Sequence, residues 1–120
     1  MTEVLRPDVY KQGDVVLTLG GSYTSKPRPV LVIQADEWRT GNSVIIVPIT
    51  TVANPALDGR VMITVTPENG LLHDSYLEVE KLGAVDRKYL GKIIGHVAPA
   101  VIVGAIQTVA KLLTPRRPTE

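Results

Sequence analysis

The hydrophobic positions of the chain form β-branched runs separated by short segments rich in glycine, proline, asparagine and aspartate. Runs of valine and isoleucine bounded by such turn formers are typical of β-strands, and unbroken apolar runs are typical of strands covered on both faces. This pattern predicts six strands, at residues 15–19, 29–35, 43–51, 60–66, 75–82 and 92–97. Asp86 is expected to cap a single helical turn through Leu90.

The spacing of the apolar positions changes near the C-terminus. There they recur at helical spacing, at Ile102, Ile106, Val109 and Leu113. Pro99 suits a first helical turn and Pro115 prevents the helix from continuing. The sequence therefore predicts a mainly β fold: a small, strongly curved, mainly antiparallel sheet or barrel, closed by a C-terminal helix over 99–113. Residues 114–120 are expected to form an exposed tail.

Composition narrows the possible classes of function. The 120 residues are about one domain in length, and 44% hydrophobic with 21% charged residues is typical of a folded soluble protein. The absence of cysteine excludes disulfides, cysteine-bound metals and thiol nucleophiles, and two histidines disfavour a histidine-rich metal centre. No apolar run approaches the roughly 18 residues of a membrane span. We expect one cytoplasmic domain with no metal, no cofactor and no membrane partner.

Charge is distributed unevenly, although the formal net charge is only +1. Residues 1–80 carry a net charge of −4, whereas residues 81–120 carry +5. Such a polarised chain can present a basic face to phosphates despite a nearly neutral total, and a solvated cationic end is the alternative interpretation.

Six short motifs occur in a fixed order along the chain. They are GDVV at 13–16, RPVLVI at 28–33, VPIT at 47–50, GL and DS within 70–75, VD at 85–86 and LGKIIG at 90–95. In this order the sequence resembles the MazF/PemK family of toxin endoribonucleases, over about residues 12–113. The resemblance implies an SH3-like barrel with a C-terminal helix, usually a homodimer, and hence one toxin-like domain over 1–120.

The resemblance also implies an activity: metal-independent cleavage of single-stranded RNA, in which a 2′-hydroxyl attacks its own phosphodiester. Arg28 matches the arginine that the family uses in catalysis, and its guanidinium can hold two phosphate oxygens. Thr50 matches an active-site threonine whose hydroxyl can bind a phosphate oxygen or orient the 2′-hydroxyl. Glu80 matches a family carboxylate that could accept the 2′-hydroxyl proton. A solvated acid on the strand face, shared with Tyr76 and Glu78, is the other interpretation of Glu80.

Binding of RNA and of a protein inhibitor follows from the same resemblance. Ser22, Tyr23 and Lys26 lie in the loop before Arg28, where Tyr23 could stack on a base, and Lys81 could contact a phosphate. Many relatives carry a carboxylate in that loop, whereas this chain has Tyr23 and Thr24 at the corresponding positions. A cognate antitoxin with a disordered acidic segment is the expected protein partner.

Two other functions remain compatible with these residues. A CcdB-like poison of DNA gyrase shares the expected fold, although the C-terminal segment TPRRPTE offers no aromatic anchor. A catalytically silent barrel that binds nucleic acid or protein is the second alternative, since the loop carboxylate is missing.

Overall fold

Seven strands and one helix make up the described part of the chain. The computed structural model describes residues 10–19, 26–54 and 60–116. In chain order the elements are β1 Asp14–Thr18, β2 Pro29–Val32, β3 Ser43–Thr50, β4 Val61–Ile63, β5 Ser75–Leu77, β6 Gly83–Asp86, β7 Leu90–His96 and α1 Pro99–Leu113. The strand pairings found in this part of the chain are antiparallel. The predicted fold class, mainly β with a C-terminal helix, is confirmed.

Strand β3 is the centre of the sheet. On one edge it pairs with β2, so that Val30 lies opposite Pro48. On its other edge it pairs first with β6, at Ser43–Ile46, and then with β5, at Ile49 and Thr50. Beyond β2 the order continues through β1 to β7, and β4 extends the sheet from β5. The long β3 therefore serves two different partners on one edge, and the chain must bend between them.

The sheet buries apolar side chains on both faces. One face of β3 contributes Val47 and Ile49 to a core that also includes Ile102 and Ala105 of α1. The other face contributes Val44 and Ile46 to a second core enclosed by the strands. This arrangement explains the unbroken valine and isoleucine runs, because alternate side chains of one strand enter different cores.

The predicted strand at 75–82 is wrong in its second half. β5 ends at Leu77, and Val79–Lys81 form a 3-10 turn in which the Lys81 and Leu82 amides bond to the Glu78 and Val79 carbonyls. The chain then continues as β6. The sequence did not predict this strand, because it is only 4 residues long and begins with a glycine. Consequently Glu80 does not share a strand face with Tyr76 and Glu78.

The predicted strand at 60–66 is also shorter than expected. After β4 the Val65 amide bonds to the Asp74 carboxylate, and the Thr66 amide bonds to the Asn69 side chain. The side chains of Asp74 and Asn69 thus accept the backbone amides that would bond to a neighbouring strand if β4 were longer. The loop that follows crosses β7, where the His96 amide donates to the Glu68 carbonyl at 2.8 Å.

The helix and the turn before β7 have the predicted form. α1 spans Pro99–Leu113 with proline in its first turn, and Asp86 caps the 3-10 turn Arg87–Tyr89 by accepting from the Lys88 amide. Residues 117–120 of the predicted tail lie outside the described residues. Across the described ranges, no helix combines the length and apolar character needed to cross a bilayer.

Candidate active site

The polar end of one face of β3 forms the site. Along this face Val44 and Ile46 enter the enclosed core, and the next two side chains are Pro48 and Thr50. Pro48 has Val30 opposite it on β2, and its carbonyl accepts the Glu78 amide at 2.8 Å on the other edge. That bond continues the β5 ladder by one residue, so Glu78 lies beside Pro48 on the same face of the sheet.

Arg28 is fixed two residues before Val30, and therefore on the same face. Its amide donates to the Thr18 hydroxyl at 3.0 Å, and its carbonyl accepts the Thr18 amide at 2.8 Å. These two bonds hold Arg28 against the end of β1. On its other side, the antiparallel register of β2 and β3, continued two residues before Val30, places the Arg28 backbone next to Thr50, the last residue of β3. Arg28 is an exposed residue, so its guanidinium is accessible to a ligand that enters from solvent.

These residues line one pocket of about 410 Å³. Its apolar lining comes from Pro29, Val30, Pro48 and Ile49, and its polar lining from Arg28, Thr50, Glu78 and Lys81. Two cations, one hydroxyl and one carboxylate thus face a common volume. A phosphodiester is a suitable ligand for these groups. The two cations can bind its oxygens, and the carboxylate and the hydroxyl can accept or donate a proton.

A largely buried arginine, Arg60, which the sequence analysis did not single out, supports the carboxylate side of the pocket. The Arg60 side chain is 9% exposed, and its Nη2 atom lies 2.7 Å from Glu80 Oε2 and 3.2 Å from Glu78 Oε2. Its Nη1 donates to the Val52 carbonyl at 3.0 Å. Arg60 therefore ties together both glutamates and the segment after β3.

Ionisation of Glu80 depends on this arginine. Partial burial opposes the charged form of Glu80, but the hydrogen bond and charge of Arg60 outweigh that effect and lower the pKa of Glu80 below its usual value. In turn, the hydrogen bond to Glu80 raises the pKa of Arg60. The pair is therefore fully ionised at neutral pH.

Glu80→Gln is expected to lower the thermal unfolding midpoint at pH 7 by about 2–5 °C. Because the folded-state pKa of Glu80 lies below the unfolded-state value, the ion pair stabilises the fold above the ordinary pKa of 4.5, and this contribution disappears as the pH falls through the folded-state pKa. Calorimetry from pH 7 down to pH 2 checks this expectation. A midpoint difference that stayed constant down to pH 2 would contradict it.

The structure brings together some of the predicted site residues and separates others. Arg28, Thr50 and Lys81 line the same pocket, whereas Glu80 pairs with Arg60 and is not part of the lining. Lys26 is exposed and precedes the pocket residues by two positions. Ser22 and Tyr23 lie outside the described residues.

Two residues of this region were missed as functional candidates, Glu78 and Arg60. The alternation of Tyr76, Glu78 and Glu80 was visible in the sequence, but the bend after Leu77 was not. Arg60 carried no local signal, because its partners are 18 and 20 residues away. Among the described residues, no group of three or more acidic, histidine or cysteine side chains is arranged to hold a metal ion.

Comparisons with known proteins agree with this architecture. The model of a family described as PemK-like, MazF-like toxins of type II toxin–antitoxin systems matches residues 11–113. A probable endoribonuclease MazF from Mycolicibacterium smegmatis (strain ATCC 700084 / mc(2)155) is 38% identical over 94 residues, which cover 78% of this chain and 86% of the relative.

Solved structures match the fold at lower sequence identity. A mycobacterial endoribonuclease in complex with its cognate antitoxin superimposes with a TM-score of 0.73, at 20% identity, over 92% of this chain and 100% of the other. The Mycobacterium tuberculosis toxin MazF-mt6 superimposes with a TM-score of 0.66, at 22% identity, over 82% and 93% of the two chains. The family-model match and the related probable endoribonuclease favour a MazF-like toxin over a CcdB-like poison of DNA gyrase. By sequence and by fold, the chain belongs to the family of PemK-like, MazF-like toxins of type II toxin–antitoxin systems.

Proposed function

We propose that this toxin is an endoribonuclease and that the pocket around Arg28 cleaves single-stranded RNA by attack of a 2′-hydroxyl on the adjacent phosphodiester. One observation carries the proposal: Arg28 and Thr50 line a single pocket at the end of neighbouring strands. Family membership and a relative described as a probable endoribonuclease support the same function.

The pocket's donors suit the charge that develops in this reaction. The Arg28 guanidinium offers two parallel N–H groups to the non-bridging phosphate oxygens, and the Lys81 ammonium adds a second cation. The Thr50 hydroxyl can donate to a phosphate oxygen or orient the attacking 2′-hydroxyl. Because the nucleophile belongs to the substrate, the chemistry needs neither an enzyme nucleophile nor a metal.

RNA flanking the scissile bond is the second part of the proposal. We assign Ser22, Tyr23 and Lys26 to this contact from their place in the loop before Arg28, with Tyr23 as a surface on which a base can stack. Lys81 extends the cationic side of the pocket, and its side chain is 62% exposed. A single strand is the suitable substrate, because its bases can unstack onto an aromatic side chain and its backbone is free to bring the 2′-oxygen in line with the leaving 5′-oxygen.

A cognate antitoxin is the proposed protein partner. A solved mycobacterial relative of the same fold is an endoribonuclease in complex with its antitoxin. In this chain, an extended acidic segment of the antitoxin would cover the pocket and compete with RNA for Arg28 and Lys81. We also propose a homodimer in the cytoplasm, as the family resemblance implies.

Incubation of the purified chain with a long single-stranded RNA in EDTA tests the proposed function. We expect fragments ending in a 2′,3′-cyclic phosphate and a 5′-hydroxyl, and no cleavage where the nucleotide preceding the scissile bond carries 2′-deoxyribose. A matched fully double-stranded RNA is the control and is expected to stay intact. Intact single-stranded RNA together with gyrase inhibition would contradict the proposal, as would RNA that is bound but never cut.

A further inference from the structure

The carboxylate that faces the pocket is Glu78, two residues before Glu80, the acid that the family resemblance indicates. Glu78 lines the pocket together with Arg28 and Thr50. Its backbone is held by the amide bond to the Pro48 carbonyl, at the last position of the sheet ladder before the chain turns. Its placement therefore comes from the rigid sheet and not from the turn that follows.

Two cations fix the side chain of Glu78. Arg60 Nη2 lies 3.2 Å and Lys81 Nζ 3.3 Å from the same oxygen, Oε2. The Glu78 side chain is 15% exposed. Both contacts are made to Oε2. They orient the carboxylate and leave Oε1 available to accept a proton from a ligand.

Glu80 has a different role in the same cluster. Its Oε2 takes the shorter contact with Arg60, at 2.7 Å, and Glu80 does not line the pocket. Among these five described side chains, the charges of Glu78 and Glu80 are balanced by Arg60 and Lys81, and the remaining charge is the positive charge of Arg28. A single phosphodiester in the pocket would balance that charge.

We propose that Glu78 is the catalytic carboxylate that accepts the proton of the attacking 2′-hydroxyl, and that Arg60 is the positioning residue that holds it in place. This inference rests on the proposed endoribonuclease function. It assigns to Glu78 the role that the family resemblance indicates for Glu80.

The proton and electron transfers balance without a cofactor. The 2′-oxygen gives its proton to Glu78 and forms a bond to phosphorus, while the bond from phosphorus to the 5′-oxygen breaks and its electron pair leaves with that oxygen. Water protonates the 5′-oxygen, and the protonated Glu78 returns its proton to solvent. The products are a 2′,3′-cyclic phosphate and a 5′-hydroxyl.

Arg60 acts through Glu78 and not on the substrate. Its side chain is nearly buried, and its two terminal nitrogens are held by the Val52 carbonyl and by the two glutamates. It joins Glu78 to the Val52 carbonyl, just after Thr50. Removing it would release the carboxylate from one of its two cations and loosen the segment that carries the Thr50 hydroxyl.

Paired substitutions of the two glutamates test the inference. In a preparation that cleaves RNA, Glu78→Gln is expected to lower kcat by about 10²–10⁴-fold with little change in KM, because glutamine cannot accept the proton. Glu80→Gln is expected to keep kcat within about tenfold of the parent, a small loss compared with that of general-base removal. Glu37→Gln, an exposed acid in the turn between β2 and β3, is the matched control.

The pH–rate profile separates catalysis from structure. The charged groups around Glu78 are Arg60 just before β4, Lys81 and Glu80 in the 3-10 turn, and Arg28 across the pocket. We expect the low-pH fall in kcat of the parent to persist in Glu78→Asp and to vanish in the residual activity of Glu78→Gln. Arg60→Lys, which keeps a cation, is expected to retain more activity than Arg60→Met.

The outcomes are distinguishable. If the parent does not cleave RNA, the proposed function fails and this inference fails with it. If the parent cleaves and Glu78→Gln equals it in kcat, or if Glu80→Gln loses as much activity as Glu78→Gln, only the inference is overturned. Unfolding midpoints of each variant, together with the activity of Glu78→Asp, exclude misfolding as the cause of a lost kcat.

Discussion

Arg28→Ala is expected to lower kcat for RNA cleavage by at least about 10²–10³-fold, the loss typical of removing one preorganised donor from a developing oxyanion. Arg28 supplies the pocket's forked pair of N–H groups, and its side chain lies at an exposed position where truncation does not open a cavity. The unfolding midpoint should therefore stay close to that of the parent. Single-turnover cleavage of a defined RNA, with a fluorescent readout, measures the loss.

Two further variants sharpen this test. Arg28→Lys keeps the charge but loses the fork, so we expect it to recover only part of the activity. Arg39→Ala removes an exposed arginine from the turn before β3 and should leave kcat unchanged. Equal activity of Arg28→Ala and Arg39→Ala would exclude a catalytic role for the pocket arginine.

Gly70→Ala is expected to destabilise the fold by at least about 3 kcal/mol. Gly70 adopts a φ of +68°, and a Cβ there would collide with the backbone carbonyl of Ile94 in β7. Because the obstacle is backbone, relief would require the loop after β4 to move away from the sheet. Urea unfolding followed by circular dichroism measures the loss.

Gly41 provides the matched control for that substitution. Its φ of +67° is nearly identical, but a Cβ there would meet nothing within 4 Å. Gly41→Ala should therefore cost only the conformational strain, about 1–2 kcal/mol. If the two alanine variants lost the same free energy of unfolding, the contact with β7 would not be the cause.

The sequence was sufficient to predict features that depend on local spacing. The helix Pro99–Leu113 followed from apolar periodicity and two prolines, and the cap at Asp86 followed from residue type. Arg28 and Thr50 were predicted together because both match catalytic positions of the family that the sequence resembles, Arg28 at the start of one strand motif and Thr50 at the end of the next. Their presence in one pocket then depends only on neighbouring strands pairing antiparallel.

Features set by long-range pairing could not be predicted in this way. The end of β5 decides whether Glu78 or Glu80 faces the pocket. That end is set by the sharing of one edge of β3 between β5 and β6. An unbroken strand would have placed both on one face. The partnership of Arg60 with both acids likewise depends on β4 pairing with β5, which alternation alone does not reveal.

The pairing of β1 with β7 has a consequence for vectorial synthesis on the ribosome. β1 is translated well before one of its two neighbours, β7, which spans Leu90–His96. Until that strand emerges, β1 has an unpaired edge, and the backbone of Arg28 is anchored to a β1 that lacks half of its support. The pocket around Arg28 should therefore gain its full support only after β7 has been translated, and chains that terminate before β7 should be aggregation-prone.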